Sequence, residues 1–419
     1  MNEMFSNINP KDIIRNLINL PQLVYEVTDI CNLRCKYCGF GDLYEGYDPR
    51  NKGRLSLRKA FNILDYLAKL WKENIQGSIK QPFILGFYGG EPLLAMNLIK
   101  EIIEYAQSLD IKSKSIHYNL TTNGLLLNKH IDYLVKKEFN LLISLDGDEK
   151  DHSYRLDQRG RNSHKRVIDN IQLIQHKYPE YFHKHVNFNT VLHNMNTVES
   201  AHRYIKKMFG KATKISPLNN SRIRMDKINE FIKMLENVDH SIEKTENCNE
   251  LESELFLEAP KIRKLITFLY TFSGNIFDDY GSLFFDLKRI KPYPTGTCVP
   301  FLKKMYITVS GKILQCEKIK HEFALGQVYD DKIELNFDHI AEISNNYILK
   351  FTNQCKSCLS YRTCTQCAYQ IDEIINPAPK CRSYINQAKF QQKIDLNLDY
   401  LSKNPHLFLK IMKEVVIKN

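Results

Sequence analysis

At 419 residues, 43% hydrophobic and 26% charged, the chain can bury a large core in two or three domains and has the composition of a globular protein. No apolar run reaches bilayer length, and MNEMFSNINPKDIIRNLINLPQ lacks the basic start, apolar centre and small-residue cleavage site of a signal peptide; no membrane is expected as partner, and the location expected is cytoplasmic. The formal net charge of +11 comes without any Lys/Arg block interleaved with aromatics, so no nucleic acid is expected; an acidic peptide, an anionic cofactor or a solvated basic surface accounts for it as well.

In chain order, residues 1–21 form an N-terminal segment, and LVYEVT, Leu23 to Thr28, reads as a strand. It runs into TDICNLRCKYCGFGD, where Cys31, Cys35 and Cys38 stand at C-x3-C-x2-C. A disulfide uses cysteines in pairs and a structural zinc site closes on four ligands, so a group of three suits a cluster left open at one corner. Half of a zinc site completed from elsewhere is the alternative. A helix follows, with Leu57, Phe61, Leu64, Leu67 and Trp71 at steps of three and four.

Four more strand and helix pairs come next. PFILGFYGGEP is a strand ending in Gly89 and Gly90, IHYNLTTNG a strand ending at Asn123, NLLISLDGD a strand ending in Ser144 and Asp146, and VNFNTVLH a strand; each precedes an amphipathic helix, and the short strand ATKISPL closes the series. Strands alternating with helices imply a parallel sheet, with functional residues on the rim where strands end. The cysteines, GGEP, TTNG and SLDG all fall on that rim. The fold class expected is α/β, a partial (β/α)6 barrel over residues 22–218.

Residues 219–290 read as a polar connector, with Cys248 alone in it, and residues 385–419 as a helical tail. Between them, residues 291–384 form a small cysteine-rich α+β domain. It begins with a hairpin, MYITVSGKILQC, and carries seven of the eleven cysteines: Cys298, Cys316, Cys355, Cys358, Cys364, Cys367 and Cys381. In a chain without a signal peptide these read as metal or redox ligands rather than disulfides. Zinc in two C-x2-C pairs is the other possibility.

The first motif, with Tyr37 just before its third cysteine, closely resembles the radical S-adenosylmethionine (SAM) superfamily. That resemblance implies a radical SAM barrel with a [4Fe-4S] cluster on Cys31, Cys35 and Cys38 whose open iron binds SAM. An electron from the cluster then cleaves SAM to a 5'-deoxyadenosyl radical. By the same resemblance Gly89, Gly90 and Glu91 hold the SAM amino group, and Ser144, Arg155, Asn123 and Tyr37 are further cofactor-binding residues. Asp146 lies near the chemistry as the catalytic candidate. Arg155 has a second reading, as a salt-bridged residue at a helix start, and Asn123 another, as a loop residue tolerating a left-handed backbone. The family's H-D pair stands here as Asp151-His152.

The seven C-terminal cysteines resemble a SPASM domain, which implies two auxiliary [4Fe-4S] clusters. One would use Cys298, Cys316 and Cys367, the other Cys355, Cys358, Cys364 and Cys381. RIKPYPTGT holds no eighth cysteine, so the first auxiliary cluster keeps an open iron or borrows a ligand such as Cys248. The implied cofactors are SAM and three clusters. The implied function is a peptide maturase that installs a thioether or carbon-carbon cross-link in a ribosomal precursor peptide. An anaerobic sulfatase-maturating, formylglycine-forming enzyme is the alternative, and a non-catalytic iron-sulfur or zinc adaptor the non-enzymatic one. The partners implied are the precursor, an electron donor such as flavodoxin or ferredoxin, and a standalone leader-binding protein.

Overall fold

The computed structural model describes residues 4–74, 81–109, 111, 114–272 and 293–415. It divides into two compact units, Ile8–Asn237 with Cys298–Ser344, and Met1–Asn7 with Val238–Thr297 and Asn345–Asn419.

The larger unit starts with α1 (Pro10–Ile18), capped by the Asn9 side chain and burying Ile13 and Leu17. Trp71 donates its indole N–H to the Leu17 carbonyl at 3.1 Å, so this N-terminal stretch belongs to the barrel unit and not outside it. β1 (Gln22–Thr28) buries six successive residues, the pattern of a parallel strand covered on both faces. The loop after β1 contains β2 (Leu33–Cys35). α2 (Leu57–Glu73) then buries Ala60, Ile63, Leu64, Leu67, Ala68 and Trp71. This stripe is rotated from the expected one, because Phe61 stacks on Tyr105 at 3.9 Å instead of entering the core.

β3 (Gln81–Gly89), α3 (Met96–Ser108), β4 (Lys114–Thr122), α4 (Leu127–Lys136) and β5 (Asn140–Ser144) continue the alternation. β6 (Arg155–Asp157), α5 (His164–Lys177), α6 (Pro179–His185), β7 (Val186–Leu192), α7 (Val198–Phe209) and β8 (Thr213–Pro217) complete it. α7 starts in a capping box of Thr197 and Ser200 and stops at Gly210, which has φ 65°. β1, β3, β4, β5, β7 and β8 lie side by side in that order, all parallel. The predicted six-stranded α/β arrangement is therefore present.

Two features depart from expectation. The hairpin assigned to the cysteine-rich domain, β9 (Met305–Ile307) and β10 (Lys312–Leu314), belongs to the main sheet. β9 runs parallel to β1 with Leu23 opposite Met305, and β11 (Gly326–Val328) and β12 (Ile333–Glu334) extend the same edge antiparallel. The reason is burial: all three β9 residues are inaccessible, which an isolated hairpin could not provide. The second departure is β2 pairing antiparallel with β6, Cys35 opposite Arg155, as a separate ribbon.

In the smaller unit, helices Cys248–Leu255 and Gln387–Lys403 are joined by a hydrogen bond from the Tyr400 hydroxyl to Glu252. Lys261 sits 4.1 Å over the Tyr400 ring. No helix among the described residues is long and apolar enough to cross a membrane.

Candidate active site

The three cysteines occupy the loop between β1 and α2. All are free thiols. Burial, against the lowering influence of Arg155 at Cys35 and of the Leu33 amide at Cys31, pushes the Cys35 thiol up to about 12 and the Cys31 thiol up to about 11. Cys31 Sγ accepts from the Leu33 amide at 3.4 Å and from Asn123 Nδ2 at 3.8 Å. Among the described residues no three His, Cys, Asp or Glu side chains stand at metal-ligand spacing. The donor set nevertheless fits an iron-sulfur cluster: three neighbouring thiols, partly withdrawn from water, with N–H donors aimed at the Cys31 sulfur and Arg155 opposite Cys35 in the β2–β6 register.

The glycines of GGEP pack against the backbone that follows β1. Gly89 has φ 145° and a Cβ there would lie 2.2 Å from the Thr28 carbonyl oxygen; a Cβ on Gly90 would lie 2.2 Å from that of Ile30. The Gly90 and Glu91 amides donate to those same carbonyls at 2.8 Å. The end of β3 thus presses against the chain that delivers Cys31. Glu91 points inward, 1% exposed, its Oε1 accepting from Thr122 Oγ1 at 2.7 Å and the Leu93 amide at 3.1 Å, its Oε2 from the Asn123 amide at 2.8 Å. Burial raises its carboxyl to about 7 despite these donors.

Asn123 is not left-handed; that conformation belongs to Gly124, with φ 82°. The Asn123 amide reaches Asn32 Oδ1 at 2.7 Å as well as Cys31. GGEP and TTNG therefore form one support under the first cysteine.

The SLDG loop stands behind the second cysteine, Cys35, through Arg155. Ser144 ends β5 half-buried. Asp146 has no exposed surface and all its acceptor positions are directed at donors. Oδ2 accepts from the Tyr37 hydroxyl and from Arg155 Nε at 2.9 Å, and Oδ1 from Arg155 Nη2 at 3.1 Å and the Val191 amide at 3.0 Å. Burial alone would raise its carboxyl, but Arg155 and His193 hold it well below the usual carboxylate range. Arg155 is 6% exposed and begins β6 rather than a helix. Its pairing is with Asp146, and its guanidinium lies 5.3 Å from the Tyr37 ring centroid.

The site also takes in His152, noted in the sequence only as half of the reordered pair, and His193 and Asn196, which the sequence reading missed. His152 Nδ1 accepts from the Asp146 amide at 3.3 Å and Nε2 meets Ser163 Oγ at 3.0 Å; burial lowers this imidazole to about 3, so it is neutral. Asn196 Nδ2 donates to the Asp146 carbonyl at 3.0 Å, and His193 stacks on Tyr37 at 5.3 Å. Their only sequence signal is the polar run HNMN on the rim after β7. The start of the expected connector is also part of the site, since Leu43 and Glu45 bond to Arg224 and Arg222 at 3.0 Å. Tyr37, Leu43, Tyr44, Leu218, Phe231 and Met234 share one buried cluster.

In the smaller unit, Cys355, Cys358, Cys364 and Cys381 are near neighbours: burial, and then the other three thiols, push Cys355 up to about 11. The Cys381 amide donates to Gln354 Oε1 at 2.9 Å. A Cβ on Gly296 would lie 2.5 Å from the Cys364 carbonyl oxygen, and the Gly296 amide donates to Gln366 at 2.7 Å. Part of RIKPYPTGT, residues 289–292, lies outside the described residues. Cys298 and Cys316 belong to the larger unit and Cys367 to the smaller. Cys248 opens its helix and donates to Asn249 Oδ1 at 3.9 Å.

Residues 25–208 match the model of the radical SAM superfamily. The chain carries a radical SAM domain. The domain implies SAM and a [4Fe-4S] cluster as its cofactors. The chain is 27% identical over 195 residues to a cysteine-type anaerobic sulfatase-maturating enzyme of Clostridium novyi (strain NT), covering 45% of this chain and 48% of that one. It is 28% identical over 172 residues to the radical SAM cyclopropyl synthase TigE of Paramaledivibacter caminithermalis, covering 40% of this chain and 34% of that one. The chain thus spans half or less of the length of these curated relatives. In fold it is similar to native anSMEcpe with bound AdoMet, with TM-score 0.61 and 20% identity over 94% of this chain and 99% of that one. That likeness extends the shared fold well beyond the radical SAM domain.

Proposed function

We propose that the chain is a radical SAM peptide maturase that installs a thioether or carbon-carbon cross-link in a ribosomally made precursor. The observation that carries the reading is the buried support around the cysteine loop: GGEP and TTNG lock Cys31, while the Asp146 and Arg155 pair backs Cys35. When bound, the cluster and SAM would supply one-electron cleavage of SAM and a carbon-centred radical able to take hydrogen from a substrate. The protein's own part is to hold the thiols, exclude water behind them and keep Tyr37 and Arg155 fixed. Asp146, the catalytic candidate of the sequence, is fully enclosed and acts as a positioning residue. Gly89, Gly90, Glu91, Asn123, Ser144 and Arg155 remain the proposed surroundings of SAM, acting through the loops they fix.

In the smaller unit, Cys355, Cys358, Cys364 and Cys381 would hold one auxiliary cluster. Cys298, Cys316 and Cys367 are proposed as ligands of another. A flavodoxin or ferredoxin would supply electrons in the cytoplasm, and a standalone protein would bind the leader.

Similarity to sulfatase-maturating enzymes, in sequence and in fold, favours a second reading, oxidation of a protein cysteine or serine to formylglycine. The test is mass spectrometry after anaerobic incubation with SAM and reductant. Loss of a pair of hydrogens per cross-link in a short cysteine-containing precursor encoded beside the gene supports the maturase. Conversion of the cysteine in a sulfatase-derived peptide to an aldehyde supports the alternative, and neither change counts against both.

A further inference from the structure

The β2–β6 ribbon has no place in the sheet, yet it sets Arg155 directly opposite Cys35. The guanidinium is fixed by two partners. Two of its nitrogens bind the two oxygens of Asp146 at 2.9 Å and 3.1 Å, and the Tyr37 ring lies 5.3 Å away. Asp146 is fixed in turn by the Tyr37 hydroxyl, the Val191 amide, and the Asn196 side chain on its carbonyl. His193 Nε2 lies 3.7 Å from Asp146 Oδ2. Asp146 and Arg155 are 0% and 6% exposed, so solvent screens this pair weakly. A buried ion pair is seldom favoured for stability alone, since burying both charges costs about what their attraction returns. A fixed dipole with its cationic end registered on a cluster ligand acts on whatever charge that ligand's cluster carries.

We propose that Asp146 and Arg155 set the reduction potential of the cluster held by Cys31, Cys35 and Cys38, Arg155 favouring its reduced state and Asp146 opposing it. Both are positioning residues in this role, touching the cofactor only through its ligand. The inference rests on the radical SAM reading of the cysteine loop. One electron added to the cluster adds one negative charge. The cation opposite Cys35 stabilises that charge and the anion behind it trims the effect, so the pair gives a graded setting where Arg155 alone would give a large one.

The test is an EPR-monitored redox titration of the anaerobically reconstituted full chain without SAM. The relevant cluster is identified by the signal that changes when SAM is added. Asp146→Asn should shift its midpoint to more positive potential and Arg155→Gln to more negative potential. The double variant should return close to the wild type, and Arg155→Lys, which keeps the charge, should stay there. Single shifts of the same sign, or no shift in either, would overturn the proposal. Should the charge variants not fold, Tyr37→Phe keeps the ring and removes only the hydroxyl that partly neutralises Asp146. It should give a smaller negative shift, and a positive shift or none would count against the proposal. A wild-type protein with no SAM-responsive cluster would remove the underlying reading too, whereas a responsive cluster with the wrong shifts removes this inference alone.

Discussion

Gly90 has no side chain because the Ile30 carbonyl occupies the place where one would begin. A methyl group there meets that oxygen at 2.2 Å, and neither backbone can yield, since the Gly90 and Glu91 amides bond on either side of the contact. Gly90→Ala should therefore cost about 1–3 kcal/mol and displace Cys31 from its partners. Urea denaturation and iron content after reconstitution should both fall, with the fold of the smaller unit unaffected. Asp151 carries a different signal. It is packed under Gly147, whose missing Cβ would lie 2.3 Å from Oδ2, and accepts from Ser200 Oγ at 2.8 Å. Burial raises its carboxyl from 3.8 to about 6. Between those values the folded state binds more protons than the unfolded one, so the group's contribution to stability is full below about 3.8 and is lost as pH rises through about 6. Urea midpoints measured across that window should decline less steeply in Asp151→Asn than in the wild type.

At the scale of elements, the hairpin of β9 and β10 flanks β1, the strand that delivers the cysteines. Its turn depends on Gly311, which has φ 94° and a Cβ position 2.2 Å from the Val328 carbonyl oxygen. Gly311→Ala should destabilise the larger unit by roughly 1–3 kcal/mol through backbone strain and overlap, read as a lower melting temperature. The hairpin itself was legible in the sequence, and its destination was not. A short buried strand looks the same whether it pairs locally or with β1, because its partner lies almost three hundred residues away in the chain. The β2–β6 ribbon was illegible for a related reason: three residues are too few for alternation to register. By contrast the six parallel strands were readable from LVYEVT to ATKISPL, since apolar runs and amphipathic helices alternate without interruption. The thiol motif was readable from spacing alone. What spacing could not give was orientation: Glu91 and Asp146 are both buried, 1% and 0% exposed.

The whole molecule is expected to hold three clusters, about twelve irons per chain by the usual stoichiometry. Replacing Cys355, Cys358, Cys364 and Cys381 together by Ala should remove one cluster while leaving SAM cleavage in the absence of substrate. Iron and sulfide analysis with Mössbauer spectroscopy checks the count, and retention of all clusters would reassign those four thiols. The claim on which the rest depends is that Cys31, Cys35 and Cys38 hold the cluster that cleaves SAM. It is tested most directly by measuring 5'-deoxyadenosine after anaerobic reconstitution with iron, sulfide, SAM and dithionite. The wild-type chain should form it, and the variant with all three cysteines changed to Ala should form none while keeping its other clusters. Undiminished 5'-deoxyadenosine from that triple variant would contradict the account.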